Sequence, residues 1–440
     1  MLKQKSIRVA PYLTMLAVFG ALFALVPVPT GDDSMYAGIL DGYPLDAFLL
    51  QQYLTWSART LVEAVICVVA HWPPLVWRIC TPVFLTICAW CIVGLADAHR
   101  SPAAGWTAAV LLFTLEWPLL STAGWMCTTL CFVWPLCAGL LAVQPLARWH
   151  RGEAVPLWSG ILAVAGMLYA ANMEQIMVVA TLCLLGYAGY CIWKKRSCWL
   201  LWALLAACLL NAAYAALSPG TQYRYETEIT SSFMDYGMFT LLQKAQLGIA
   251  AALDAVVFQP SWLFFALCAL LAIGAFSRPL PVWFRILSLF PAAVTGVLGV
   301  FGETACALFP KLSFFHHAVT KRGVFTVQSV WEPERLAAFG LLYAVLAGCV
   351  LLLYVVLGHI GRSFAAIVLL LAGFSSCAML GFSPTVWRSG GRTAFFFLLS
   401  VLGCSLLVWK SLPGRRWKLG AFAFLLLCAA VNLPSVFLSL

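Results

Sequence analysis

The sequence predicts an all-α polytopic membrane protein, and three observations carry that expectation. Of 440 residues, 63% are hydrophobic and 10% charged, with a mean hydropathy of +0.95, more apolar surface than any soluble core needs. The apolar residues gather in runs of about 20, the length at which a helix crosses the hydrocarbon core. The 26 Lys+Arg, which outnumber the 16 Asp+Glu to give a net charge of +10, sit in short clusters between those runs. Such clusters set topology rather than bind nucleic acid. The 17 cysteines lie mostly inside apolar runs, where they act as small hydrophobes, with neither a disulfide framework nor zinc spacing.

Taken in order, Lys3, Lys5 and Arg8 precede the first run, and no small-residue cleavage site follows Val26-Pro27. Residues 9–28 are therefore expected to remain as the first span. Thr30-Gly31-Asp32-Asp33 comes next, two adjacent carboxylates that are costly to desolvate without compensation. Residues 34–59 then mix Tyr36, Tyr43, Phe48, Tyr53 and Trp56 with Asp41, Asp46, Gln51 and Gln52, a composition suited to amphipathic helices lying in the interface. Residues 61–72 are apolar but too short to span, and His71-Trp72-Pro73-Pro74 stops them. Further spans are expected at 75–95, 105–121, 126–145, 157–171, 175–193, 199–217, 261–276, 283–301, 336–358, 364–382, 393–409 and 419–437. With the first, that makes about thirteen.

Placing the amino terminus inside puts 16 of the 26 basic residues in inner segments and only Asp97 and Glu153 of the 16 acids, as the positive-inside rule requires. The chain 1–440 reads as one integral membrane domain whose long loops lie outside: 29–74 with its interfacial helices, 218–260 and 310–335. Their aromatic and Leu content argues against disorder and for function.

On this topology, ionisable residues from distant stretches reach one depth near the outer face. They are Asp32, Asp33, Arg59, Glu63, Glu116, Glu174, Glu303, Arg388 and Arg392. Arg59 and Glu63, four apart on one helical face, can pair locally. As a set these groups describe a polar cavity opening outward, suited to a substrate with a lipid tail and a polar head. His316-His317 with Lys321 and Arg322 suits either the binding of an anionic head group or a solvated basic loop. Gly-rich phosphate loops, HExxH and GxSxG are absent, which removes soluble-type nucleotide and hydrolase chemistry.

The acidic pair after the first span, followed by Tyr53-Leu54-Thr55-Trp56-Ser57-Ala58-Arg59 and Glu63, resembles the start of GT-C-type membrane glycosyltransferases. Ser121-Thr122-Ala123-Gly124-Trp125-Met126-Cys127-Thr128-Thr129-Leu130, Phe132-Val133-Trp134-Pro135-Leu136 and Asn172-Met173-Glu174-Gln175 are similar to an uncharacterised bacterial family. That family is related to the glucosyltransferases that decorate surface polysaccharides. The resemblance covers roughly the first half of the chain. It implies transfer of a sugar from a polyprenyl-phosphate donor to a cell-envelope glycan or lipid-linked acceptor, at the outer face of a bacterial cytoplasmic membrane. It also implies Asp32 or Asp33 as the base, with Arg59, Glu63, Glu116, Glu174, Gln175, Arg388 and Arg392 at the substrate and an arginine on the donor phosphate. A divalent cation stays open, since two adjacent carboxylates alone are a weak magnesium signal. The alternative is a transporter or flippase of a lipid-linked sugar, for which ionisable or broken-helix sites near mid-membrane are expected.

Overall fold

The computed structural model describes residues 2–96, 101–319, 332–389 and 391–438, and helices dominate them. The chain is a multi-pass membrane protein. Among the described residues, ten helical stretches are long and apolar enough to cross a bilayer, and the pair Leu241–Val257 and Trp262–Phe276, bent by 80°, makes an eleventh if counted as one span. Three of the thirteen expected spans account for the difference. The run at 105–121 forms the 12-residue helix Pro102–Phe113 before the backbone turns, and the run at 157–171 forms the 14-residue helix Leu157–Ala170. The run at 261–276 is the second arm of the bent pair. Apolar length alone does not show where Ser, Pro and Gly turns shorten a helix.

Packing separates two compact units. The first comprises Met1–Ala109, Trp117–Thr230 and Phe437–Leu440; the second comprises Val110–Glu116 and Ser231–Val436.

In the first unit, α1 (Leu2–Leu25) leads into three short helices, α2 (Asp33–Gly42), α3 (Leu45–Thr55) and α4 (Thr60–His71). After them come α5 (Pro74–Ala96), α6 (Pro102–Phe113, whose last turn belongs to the second unit), α7 (Trp125–His150), α8 (Leu157–Ala170), α9 (Glu174–Trp193), α10 (Trp199–Ala216) and α11 (Pro219–Ser231). The ring of Phe23 on α1 meets Trp77 at 5.3 Å and Trp117 and Trp125 each at 6.2 Å. Indole N–H groups then tie α5 to α7: Trp77 Nε1 donates to Thr129 Oγ1 at 2.7 Å and Trp134 Nε1 to Thr81 Oγ1 at 3.1 Å. Small residues let α7 and α8 approach closely, with Gly139 opposite Ala170 and Gly166 against the Ala138 carbonyl. At the carboxyl ends of α7 and α9 basic residues collect together, the Arg196 guanidinium lying 4.6 Å over the Trp149 ring. Glu153 pairs with Arg148 and Arg151 there, and the amino end of α9 carries Glu174.

The second unit contains α12 (Leu241–Val257), α13 (Trp262–Phe276), α14 (Val282–Ser288), α15 (Phe290–Val294), a π-turn at Thr295–Val300, α16 (Gly302–Leu308) and α17 (Ser313–Ala318). It ends with α18 (Pro333–Leu357), α19 (Ile360–Ala378), α20 (Phe395–Ser411) and α21 (Gly414–Leu438). Here α12 is pressed onto the end of α19, and Tyr236 Oη donates to the Gly381 carbonyl at 2.7 Å. Asn432 of α21 donates to the carbonyls of Phe113 and Leu115 at 3.0 and 2.9 Å.

Candidate functional site

The turn Thr30–Asp33 docks on the turn before α7. Gly31 (φ 53°) and Gly124 (φ 97°) both take left-handed backbone. The Asp32 N–H donates to the Ala123 carbonyl at 3.0 Å. Asp33 is fully buried. Its carboxylate accepts from the Cys127 N–H at 2.8 Å, the Met126 N–H at 3.3 Å, and the Thr30 N–H and hydroxyl at 3.1 and 3.3 Å. Met126 and Cys127 are the second and third residues of α7, whose own N-cap, Gly124, has no side chain to offer. Asp33 therefore does from a distance what an N-cap residue does locally. A Cβ on Gly124 would collide with Asp33 Oδ1, so the glycine makes room for the cap. The two stretches singled out in the sequence, 30–33 and 121–130, are thus one device. Asp32 beside it is exposed.

The amino end of α4 is closed in the same manner. Asn172 Oδ1 accepts from the N–H groups of Leu61 and Val62 at 2.9 and 3.2 Å, while its amide donates to the Ala58 carbonyl and to Asn211 Oδ1. Asn211 in turn donates to the Leu168 and Ala207 carbonyls. This buried amide chain fixes the start of α4 against the α8–α9 turn and α10.

On that fixed turn stand three of the expected residues. Arg59 Nε donates to Glu174 Oε2 at 2.5 Å, both side chains being about one quarter exposed (28% and 27%). Pairing is thus across the fold rather than the local Arg59–Glu63 bridge that i, i+4 spacing suggests. Glu63 is 5% exposed, and its Oε2 has no hydrogen-bond partner among the described residues. Burial pushes its carboxyl up to about 7, with the Glu174 charge adding to the rise and Arg59, Ser57 and Arg224 opposing it. Arg59 is held above its ordinary value because the charge and hydrogen bond of Glu174 outweigh burial. Arg224 is lowered by burial first and then by Arg59; its guanidinium lies 5.0 Å over the Trp56 ring. Tyr36 on α2 feels burial and the Glu63 charge, which both raise it. The helix carrying Arg224 is held close: Ser218 Oγ donates to the Tyr53 carbonyl at 2.8 Å, and a Cβ on Gly220 would collide with the Trp56 backbone nitrogen.

Gln175, next to Glu174, is buried in the first turn of α9. Glu116, Arg388 and Arg392 belong to the second unit. Glu116 Oε1 accepts from the Trp262 N–H at 2.6 Å, a third distant cap, this time at the start of α13. Arg388 is exposed and donates to Ser232 Oγ at 3.1 Å, while Arg392 lies in the short 3-10 turn Gly391–Ala394. No group of three His, Cys, Asp or Glu with metal-binding geometry occurs among the described residues. His316 packs against Gly302, and Lys321 and Arg322 lie outside the described residues.

Sequence reading did not place Arg224, Ser57, Tyr36 or Asn211 at this site. Asn211, a lone amide in an apolar run, is the one that could have been flagged, since an amide in lipid needs partners. Arg224 had only its Tyr223 and Tyr225 neighbours to suggest an interfacial segment.

Two outcomes follow from this geometry. Asp33→Asn is expected to lower the stability of the detergent-purified protein by about 1–3 kcal/mol through loss of charge-assisted caps, whereas Asp32→Asn leaves the melting temperature unchanged; equal behaviour of the two variants would contradict the cap. Because the Glu63 carboxyl is raised in the fold, its contribution to stability is fully present below the ordinary value of 4.5 and is lost as pH rises through about 7. Melting temperature should therefore fall across that window in the parent, and Glu63→Gln should remove that part of the slope. The chain matches no protein-family model, no curated protein and no solved structure, so the functional reading rests on this geometry and on the sequence resemblance.

Proposed function

We propose that the protein is a membrane glycosyltransferase, working at the outer face of a bacterial cytoplasmic membrane with its amino terminus inside, and that Glu63 rather than Asp33 is its base. The observation that supports this most is the Glu63 carboxylate itself. It is buried, one oxygen is unpartnered, and its protonation balance sits near neutrality, where a general base works best. Asp33 accepts four hydrogen bonds and is fully buried, which leaves it no face for a substrate hydroxyl.

In this proposal Glu63 takes the proton of an acceptor hydroxyl as its oxygen forms a bond to the sugar carbon. The bond from that carbon to the donor phosphate breaks, and the electron pair leaves with the polyprenyl phosphate. Arg224, stacked on Trp56, meets the phosphate charge, a role that guanidinium geometry suits. It takes the place given to Arg388 and Arg392 from the sequence. Arg59, neutralised by Glu174, positions the turn that carries Glu63. The sugar-linked polyprenyl phosphate and the envelope glycan acceptor are the substrate classes that the sequence resemblance implies.

A second reading, a transporter of a lipid-linked sugar, draws on the 80° break between α12 and α13, since discontinuous helices carry the binding sites of many transporters. The two are separated by reconstituting the purified protein in vesicles with a radiolabelled polyprenyl-phosphate sugar and a lipid-linked acceptor. Transferase activity predicts labelled acceptor, reduced about 10²–10⁴-fold by Glu63→Gln. Movement of labelled donor between leaflets with no labelled acceptor would select the transporter.

A further inference from the structure

We infer that the break between α12 and α13 is a binding site for a monovalent metal cation, with Asp254 as its charged ligand. This goes beyond the proposed sugar chemistry, lies in the second unit, and stands whether or not the first unit transfers sugar.

Asp254 sits one turn before the end of α12 and is 7% exposed. Its Oδ2 is met only at 3.5 Å by Gln259 Nε2, its Oδ1 has no hydrogen-bond partner, and no ion pair reaches it among the described residues. A lone carboxylate inside an apolar helix is expensive unless a positive charge compensates it.

The surroundings offer what a cation needs beyond that charge. Helix α12 stops at Val257, and the chain turns by 80° before Trp262 starts α13. The last carbonyls of a helix lack intrahelical donors and carry its negative dipole end. α13 does not supply them, since the N–H of its first residue donates to Glu116. The Val257 and Gln259 carbonyls lie against Gly299, where a Cβ would come within 2.8 and 3.2 Å of them. Gly299 lies in the π-turn Thr295–Val300, and such turns occur frequently at functional sites. A carboxylate and backbone carbonyls in one helix break are the kind of oxygen donors that an alkali ion takes. A divalent ion usually recruits more carboxylates, and no group of three metal-ligating side chains exists among the described residues.

The test is thermal unfolding of the purified full-length protein in detergent at pH 8, in sodium, potassium or lithium chloride against choline chloride at equal ionic strength. The inference predicts that one alkali ion raises the melting temperature by about 2 °C or more in a saturable manner, and that Asp254→Asn abolishes the rise. If the parent melts identically in all four salts, the site binds no alkali ion and a proton alone neutralises Asp254. That comparison decides by itself should Asp254→Asn fail to fold. A rise that persists in a folded Asp254→Asn would also overturn the assignment. The assay reads binding and not transfer, so its failure leaves the proposal for Glu63 untouched.

Discussion

The hydrogen bonds from the start of α7 to the Asp33 carboxylate are the interaction on which the first unit depends. Every helix begins with N–H groups that its own backbone cannot satisfy, and where water is scarce each one left open is costly. Gly124, Arg59 and Ser261 stand at the N-cap positions of α7, α4 and α13, and none offers a side-chain cap. The chain solves this by borrowing. Asp33 closes α7, Asn172 closes α4 and Glu116 reaches the start of α13. Each borrowed cap is also a long-range tie, so satisfying the backbone and assembling the helices are one event.

That constraint explains why acids and amides gather at the amino ends of these helices. Several of the acids read from the sequence as the wall of a cavity serve within their own units as acceptors for helix starts. Glu63 and Glu116 each keep one buried oxygen without a hydrogen-bond partner among the described residues, but Glu116 spends its other oxygen on the start of α13, while Asp33 serves as a cap and Glu174 pairs with Arg59; Glu63 closes no helix. A base must keep an oxygen free for its proton, and Asp33, with four hydrogen bonds on its two oxygens, has given that up.

The helical membrane architecture was legible because hydrophobic length is a local quantity, and ten of the expected spans have helices to match. The stretches 30–33, 121–130 and 172–175, singled out in the sequence for a site, hold the first two borrowed caps and Glu174. Their purpose was not legible. A cap 94 residues away from its helix, or 111, has no sequence period. The same limit hid the partner of Arg59: helical spacing offers Glu63, but the fold delivers Glu174 from 115 residues on. The place of Arg224 beside Glu63 was not legible because its stacking on Trp56 depends on how closely Gly220 lets α11 approach α3.

The division of labour between a capping Asp33 and a titrating Glu63 is the central claim, and infrared spectroscopy of the carboxyl carbonyl stretch addresses it most directly. Difference spectra between the parent and Glu63→Gln, recorded as pH is raised, isolate the state of that one group. The account predicts a protonated-carboxyl band in the parent, absent from the variant, that fades as pH passes through about 7. A parent spectrum with no such band at pH 6 would mean that Glu63 is already ionised and paired, and would contradict the account.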